Sequence, residues 1–163
     1  MDTKENKMIE LDIPGFKKLE IEHLVLDYNG TLALDGKLLS GVRELLMEIS
    51  TQLKIHVVTA DTLGHCAEEL KNLPVTIHIL SAAPEDEAKL DYLARLGKES
   101  CACIGNGRND KLMLREAALG IIIYGPECFS TESSAASDIG STDILSALGI
   151  FTHPKRMLAT LRN

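Results

Sequence analysis

Three apolar runs in this chain stop at clusters of small polar residues, and each cluster carries groups that can do chemistry. His23 to Leu26 runs into Asp27-Tyr28-Asn29-Gly30-Thr31. Ile55 to Val58 runs into Thr59-Ala60-Asp61-Thr62, and Ser100 to Ile104 into Gly105-Asn106-Gly107-Arg108-Asn109-Asp110. Lys89 lies on a helical pattern before the third cluster. A carboxylate at the end of a buried run is presented to a ligand, and a glycine beside it lets backbone approach closely. Taken singly, each piece has a plainer explanation. Asp27-Tyr-Asn-Gly can be a chain reversal, Thr59 a strand-end cap, Lys89 a solvated helix lysine, and Asn109 and Asp110 helix N-caps.

The elements that would position these residues follow from periodicity. Met8 to Ile13 alternates apolar and polar residues, Pro14-Gly15 turns the chain, and Leu19 to Leu26 resumes as strand, which predicts a β-hairpin feeding the first core strand. Ser40 would cap a helix with Val42, Leu45, Leu46 and Ile49 on its apolar face. Further strands are predicted at Ile55–Thr59, Val75–Leu80, Ser100–Ile104 and Gly120–Tyr124, with a weaker one near Ile139. Helices separate them: one through Ala67 and Leu70, one from Pro84 to a Gly97 cap, and one through Leu112, Leu114 and Ala117. The tail adds Asp143–Leu148 and a last helix after Pro154. Strands alternating with short helices imply βαβ units, and parallel strands bring their carboxyl ends to one edge. The expectation is one α/β domain over residues 1–163, a Rossmann-like doubly wound parallel sheet with an N-terminal tail and hairpin over residues 1–20.

Composition excludes several classes. Net charge is −7 and aromatics make up 4% with no Trp, which argues against a nucleic-acid partner. No apolar run reaches the roughly 20 residues of a membrane span, and the first residues have no signal-peptide core. The four cysteines form no CxxC pair. Cys101 and Cys103 alternate along one strand and should share a face as free thiols, for which the cytoplasm is the simplest compartment.

The ordered set of Asp27, Thr59, Lys89 and the Gly105–Asp110 loop resembles the haloacid dehalogenase (HAD) superfamily. Thr59-Ala60-Asp61 and Gly-x-Gly-x-Asn-Asp look most like the phosphorylation domain of P-type ATPases, and the whole chain is similar to the soluble, stand-alone P-type ATPase-like proteins. The resemblance implies a Mg²⁺-dependent phosphohydrolase, a phosphatase or ATPase-like enzyme working through an aspartyl-phosphate. Asp27 would be the nucleophile. Backbone N–H groups of Asn29, Gly30 and Thr31, together with Thr59, Ala60 and Lys89, would bind phosphate. Asp27, Asn29, Asn106 and Asp110 would hold the metal, with Asp61, Gly105, Gly107 and Asn109 in support.

Two positions depart from the family pattern. Most of its phosphatases carry an acid–base aspartate where this chain has Asn29, and an amide cannot transfer a proton in that way. Asn106 stands where a metal-ligating aspartate is usual and offers an oxygen without charge. These substitutions imply slow turnover, or a module that binds a phosphorylated ligand or protein partner without hydrolysing it. A receiver-like domain would want an acidic pair near the first strand, which is missing, and no Gly-x4-Gly-Lys-Ser/Thr occurs. The intervals from Asp27 to Thr59 and from Thr59 to Lys89 have no room for a cap domain. An open site suits a phosphorylated small molecule or a phosphoprotein, or closure by a second copy in a homo-oligomer.

Overall fold

The computed structural model describes residues 7–81 and 84–163, so the first six residues of the tail and hairpin expected over residues 1–20 lie outside the described residues. The chain opens with β1 (Ile9–Ile13) and β2 (Lys17–Ile21), an antiparallel hairpin turning at Pro14-Gly15. Asn163 donates its N–H to the Pro14 carbonyl, so the end of the chain packs against this turn. Alternation places Ile9, Ile13, Leu19 and Ile21 in the core and charged residues on the outer face.

The central sheet has six parallel strands. They are β3 (His23–Leu26), β6 (Lys54–Thr59), β7 (Val75–Ile79), β8 (Cys101–Gly105), β9 (Leu119–Ile123) and β10 (Ile139–Ser141). Their spatial order is β10-β9-β8-β3-β6-β7. The run expected as one strand from Leu19 to Leu26 breaks at Glu22. Its N–H donates to the Ser100 carbonyl and its carbonyl accepts from Lys54, which hands the chain from hairpin to sheet. From β3 the chain steps outward through β6 and β7, then returns to the other side of β3 for β8, β9 and β10. That reversal makes the β6-β3-β8 tips the topological switch point, where open α/β sheets bind ligands.

Among the described residues, seven α-helices flank the strands: α1 (Val42–Ile49), α2 (Cys66–Glu69), α3 (Glu85–Leu96), α4 (Lys111–Glu116), α5 (Thr131–Ala136), α6 (Ile144–Thr152) and α7 (Lys155–Leu161). One face of the sheet, with Leu24, Leu26, Ile55, Val57 and Ile121, packs against α1, α6 and α7. The other face, with Val25, Val58, Cys103 and Ile122, packs against α3 and α4. Cys101 and Cys103 share this second face as buried free thiols, whereas Cys128 is an exposed free thiol.

Between β3 and β6 lies a two-stranded ribbon, β4 (Ala33–Leu34) and β5 (Lys37–Leu38), which the periodicity missed. Its signal is Asp35-Gly36, both at positive φ (51° and 82°), a turn that suits two-residue hairpins. Beyond this ribbon and α1, nothing is inserted between β3 and β6, and α2 alone separates β6 from β7, so no cap domain occurs among the described residues. The start of α1 differs from expectation. Gly41, at φ 86°, occupies the N-cap position with no side-chain bond, and Ser40 does not cap.

Candidate active site

Asp27 follows β3 directly, and its N–H still donates to the Ile104 carbonyl of β8, so the central sheet fixes its backbone. Its carboxylate is 6% exposed and engaged on both oxygens. Lys89 Nζ donates to Oδ1 at 2.8 Å, and the Thr31 hydroxyl donates to Oδ2 at 3.1 Å. Lys89 reaches in from the buried face of α3, 1% exposed, and its second bond is to Asp110 Oδ1 at 2.6 Å. Burial opposes the ammonium, but the Asp110 and Asp27 charges outweigh it and hold Lys89 protonated above its ordinary range. Burial, then the neighbouring Asp110 charge, push the Asp27 carboxyl upward despite Lys89 and Thr31.

The turn after Asp27 is tighter than a phosphate cradle needs. Gly30 donates its N–H to the Ala33 carbonyl at 2.8 Å, and Thr31 donates to the Tyr28 carbonyl at 3.2 Å. These two amides, expected to face phosphate, are therefore consumed by the turn. Tyr28, Asn29 and Ala60 carry backbone N–H groups with no partner among the described residues. Thr31 contributes its hydroxyl to Asp27 instead, from behind the cleft.

Thr59 ends β6, 3% exposed, and its Oγ1 accepts the Asp61 N–H at 3.1 Å, leaving the hydroxyl proton available to a ligand. Asp61 adopts φ 48° and accepts the Cys66 N–H on Oδ1, which ties the loop to α2. His65 sits at the N-cap position of α2 and makes no capping bond.

In the third cluster, Asp110 Oδ2 accepts the N–H groups of both Asn106 and Gly107 at 2.9 Å. A side chain at Gly105 would stand 2.5 Å from the Asp110 carboxyl carbon, so glycine makes this carboxylate fit. Both Asp110 oxygens are thus engaged, the residue is fully buried, and it does not line the cleft. Asp110, expected as a metal ligand, anchors Lys89 and the loop. Asn109 joins the loop to the start of α3 through Glu85 Oε2 at 2.6 Å. Asn106 donates Nδ2 to the Cys128 carbonyl at 3.1 Å, and its Oδ1 accepts from Thr31 at 3.3 Å.

These elements enclose a cleft of about 240 Å³ lined by Asp27, Asn29, Thr59, Ala60, Asp61, Thr62, Glu85, Lys89, Asn106, Gly107, Asn109 and Glu127. Every expected site residue belongs to this wall or lies directly behind it. Glu85 and Glu127 were not singled out in the sequence. Glu85 had a signal as the first acid of α3, whereas Glu127 follows Gly125-Pro126 with no motif around it.

No group of three or more His, Cys, Asp or Glu able to hold a metal occurs among the described residues. Oxygens from fewer carboxylates remain. Asn29 Oδ1 is buried with no hydrogen-bond partner, beside Asp27 and Asn106 in the same wall. An orphaned amide oxygen next to a carboxylate and a second amide is an all-oxygen donor set, which fits a hard cation such as Mg²⁺.

No family model matches the chain. Over 83 residues, 48% of this chain, it is 40% identical to an uncharacterised protein of Methanocaldococcus jannaschii, MJ0073, and covers 89% of that protein. The chain belongs to the family of that archaeal protein. Among solved structures it is similar to 3-deoxy-D-manno-octulosonate 8-phosphate phosphatase from Moraxella catarrhalis, in complex with magnesium, phosphate and the sugar. The TM-score is 0.64 at 18% identity, covering 85% of this chain and 90% of that one. The cobalt-bound deoxy-D-mannose-octulosonate 8-phosphate phosphatase of Haemophilus influenzae matches with TM-score 0.63 at 12% identity, over 88% and 94% of the two chains. A haloacid dehalogenase-like protein of Streptococcus pneumoniae matches at 0.60 and 15% identity, over 80% and 98%. The fold is that of the HAD superfamily, with no cap domain among the described residues. No helix among the described residues is long and apolar enough to cross a membrane.

Proposed function

We propose that the chain is a Mg²⁺-dependent phosphohydrolase that transfers a phosphoryl group to Asp27. One observation carries the reading: the carboxylate at the tip of the central strand shares a buried lysine with Asp110 and faces Thr59 across the cleft. The Lys89 charge and the Thr59 hydroxyl are suited to phosphate oxygens, as are the partnerless N–H groups of Asn29 and Ala60. An Asp27 oxygen attacks phosphorus, the bond to the leaving oxygen breaks, and that oxygen leaves with the electron pair. Asn29 has no proton to give, so the departing oxygen takes one from water. Good leaving groups are therefore favoured, which fits an acyl or aryl phosphate, or an anhydride in an ATPase-like reaction. Water then hydrolyses the acyl phosphate, restores the Asp27 carboxylate and releases inorganic phosphate. Asp27, Asn106 Oδ1 and the oxygens of Asn29 would hold Mg²⁺, which when bound neutralises and polarises the phosphoryl oxygens.

The uncapped cleft suits a substrate larger than a sugar phosphate, and a phosphoprotein is the partner class it favours. Oligomeric closure over the cleft belongs to the same proposal. A second reading is favoured by the two amides: with Asn29 and Asn106 neutral, the cleft can serve as a phosphate-binding module without turnover.

Incubation with Mg²⁺ and acetyl phosphate or p-nitrophenyl phosphate separates the two readings. The enzyme reading expects turnover, or an acid-stable, hydroxylamine-labile phosphoenzyme that Asp27→Asn abolishes. Asn29→Asp should then raise hydrolysis about 10²-fold or more by restoring an acid–base group. Ligand binding with no covalent signal from either donor would sink the enzyme reading in favour of the module.

A further inference from the structure

The cleft has a charge deficit. Asp27 and Asp110 share one lysine, so the buried trio carries a net charge of −1, and the neighbouring Asn29 and Asn106 are neutral. A divalent cation placed there would meet one uncompensated carboxylate. Sites for Mg²⁺ commonly use one or two carboxylates together with substrate phosphate. We propose that Glu127 supplies the missing charge as a further cation ligand of this cleft, standing in for the acid absent at Asn106. The proposal rests on the reading that the cleft holds Mg²⁺.

Four features converge on Glu127. It lies in the loop after β9 and lines the cleft beside Asp27, Asn29 and Asn106. The loop is clipped to Asn106 at two points: Ser130 N–H donates to the Asn106 carbonyl at 2.9 Å, and Asn106 Nδ2 donates to the Cys128 carbonyl at 3.1 Å. At the second of those clips Cys128 is held at φ 65°, a left-handed conformation that non-glycine residues rarely adopt, with its carbonyl on Asn106. Gly30 completes the arrangement. A Cβ there would collide with the Asn106 amide and stand 2.7 Å from Glu127 Oε2, so both side chains close over the bare glycine next to Asn29.

The Glu127 carboxylate holds the longest of the single hydrogen bonds that the three outer acids of the wall accept. Its Oε1 accepts the Asp35 N–H at 3.3 Å, and Oε2 has no donor among the described residues. By contrast, Asp61 is bound to the Cys66 N–H and Glu85 to Asn109.

Calorimetric titration of the substrate-free protein with Mg²⁺ tests this through a charge-swap cycle. Glu127→Gln keeps the shape, removes the charge, and should weaken Mg²⁺ binding about tenfold or more. Asn106→Asp should tighten it, and the double variant Glu127→Gln/Asn106→Asp should return close to wild type. Wild-type affinity in Glu127→Gln overturns the role of Glu127, whatever happens to turnover. Failure of the double variant to recover overturns the charge substitution for Asn106. Absence of Mg²⁺ binding by the wild-type protein overturns the metal reading and this inference together.

Discussion

Two carboxylates compete for one ammonium at the buried floor of the cleft, Asp27 lining it and Asp110 behind it, and this balance sets the cost of the site. Asp110 is held by Lys89 and two backbone N–H groups, whereas Asp27 has Lys89 and a single hydroxyl. Burial and the adjacent Asp110 charge push the Asp27 carboxyl up to about 6 from 3.8. Between those two values the folded state binds more protons than the unfolded, so above pH 6 the folded protein carries a charge it would rather lose. Asp27→Asn should therefore stabilise the substrate-free protein at pH 7.5 by roughly 1–3 kcal/mol, and the gain should shrink as the pH falls from 6 and vanish below 3.8, where wild-type Asp27 is protonated in both states. Lys89→Met should instead cost about 3–5 kcal/mol at pH 7.5, because it leaves two buried carboxylates unpaired. Thermal midpoints of the two variants in the absence of Mg²⁺ check both signs. Asp27 and Thr59 stood out in the sequence as polar ends of apolar runs, whereas Lys89 and Asn106 were named through the family resemblance; all four line the cleft. The sequence did not reveal that Gly30 and Thr31 spend their amides on the turn. Nor did it reveal Glu127, because a loop with no periodicity gives no sign of where its side chain returns.

At the scale of elements, short helices set the position of the Gly105–Asp110 loop by packing tightly on the sheet. The α4 helix begins at the residue after Asp110 and lies against β9. A Cβ at Gly120 of β9 would run into the backbone carbonyl of Leu114, which no side-chain rotation can relieve. Gly120→Ala should destabilise by about 1–3 kcal/mol, visible as a lower urea midpoint with an unchanged slope. The displaced helix should also lower phosphoenzyme yield. The βαβ alternation was readable because buried parallel strands are continuous apolar runs, and boundaries fell within a residue or two of Ile55–Thr59, Gly120–Tyr124 and the Gly97 cap. Elements of two residues escaped: β4 and β5 hold too few positions to show a period, leaving only the Asp35-Gly36 turn as a sign. The start of α1 escaped because Gly41, at positive φ, replaces a side-chain cap with a backbone conformation.

At the scale of the whole molecule, two buried groups, Asp27 after β3 and His56 on the neighbouring β6, pull acid stability in opposite directions. At the start of β3, away from Asp27, His23 Nδ1 meets His56 Nε2 at 2.9 Å, and His56 Nδ1 meets the Tyr92 hydroxyl at 2.8 Å. Burial first, then the His23 and Lys54 charges, push His56 down to about 4, and His23 is lowered by burial and Lys54. A histidine favoured as neutral in the fold binds fewer protons than in the unfolded chain between pH 6.5 and 4. Its stabilising share is whole above pH 6.5 and is lost as the pH falls through that window, the reverse of the Asp27 effect. His56→Gln should lower the thermal midpoint at pH 7.5 through the two broken hydrogen bonds, yet differ less from wild type at pH 4.5, where wild type has lost its advantage. In an Asp27→Asn background the opposing carboxylate is silent, so acid should lower the midpoint more steeply than in wild type, and adding His56→Gln should flatten that fall. A His56→Gln deficit of the same size at both pH values would mean the pair contributes packing alone, and acid sensitivity would then have to be sought among the other carboxylates.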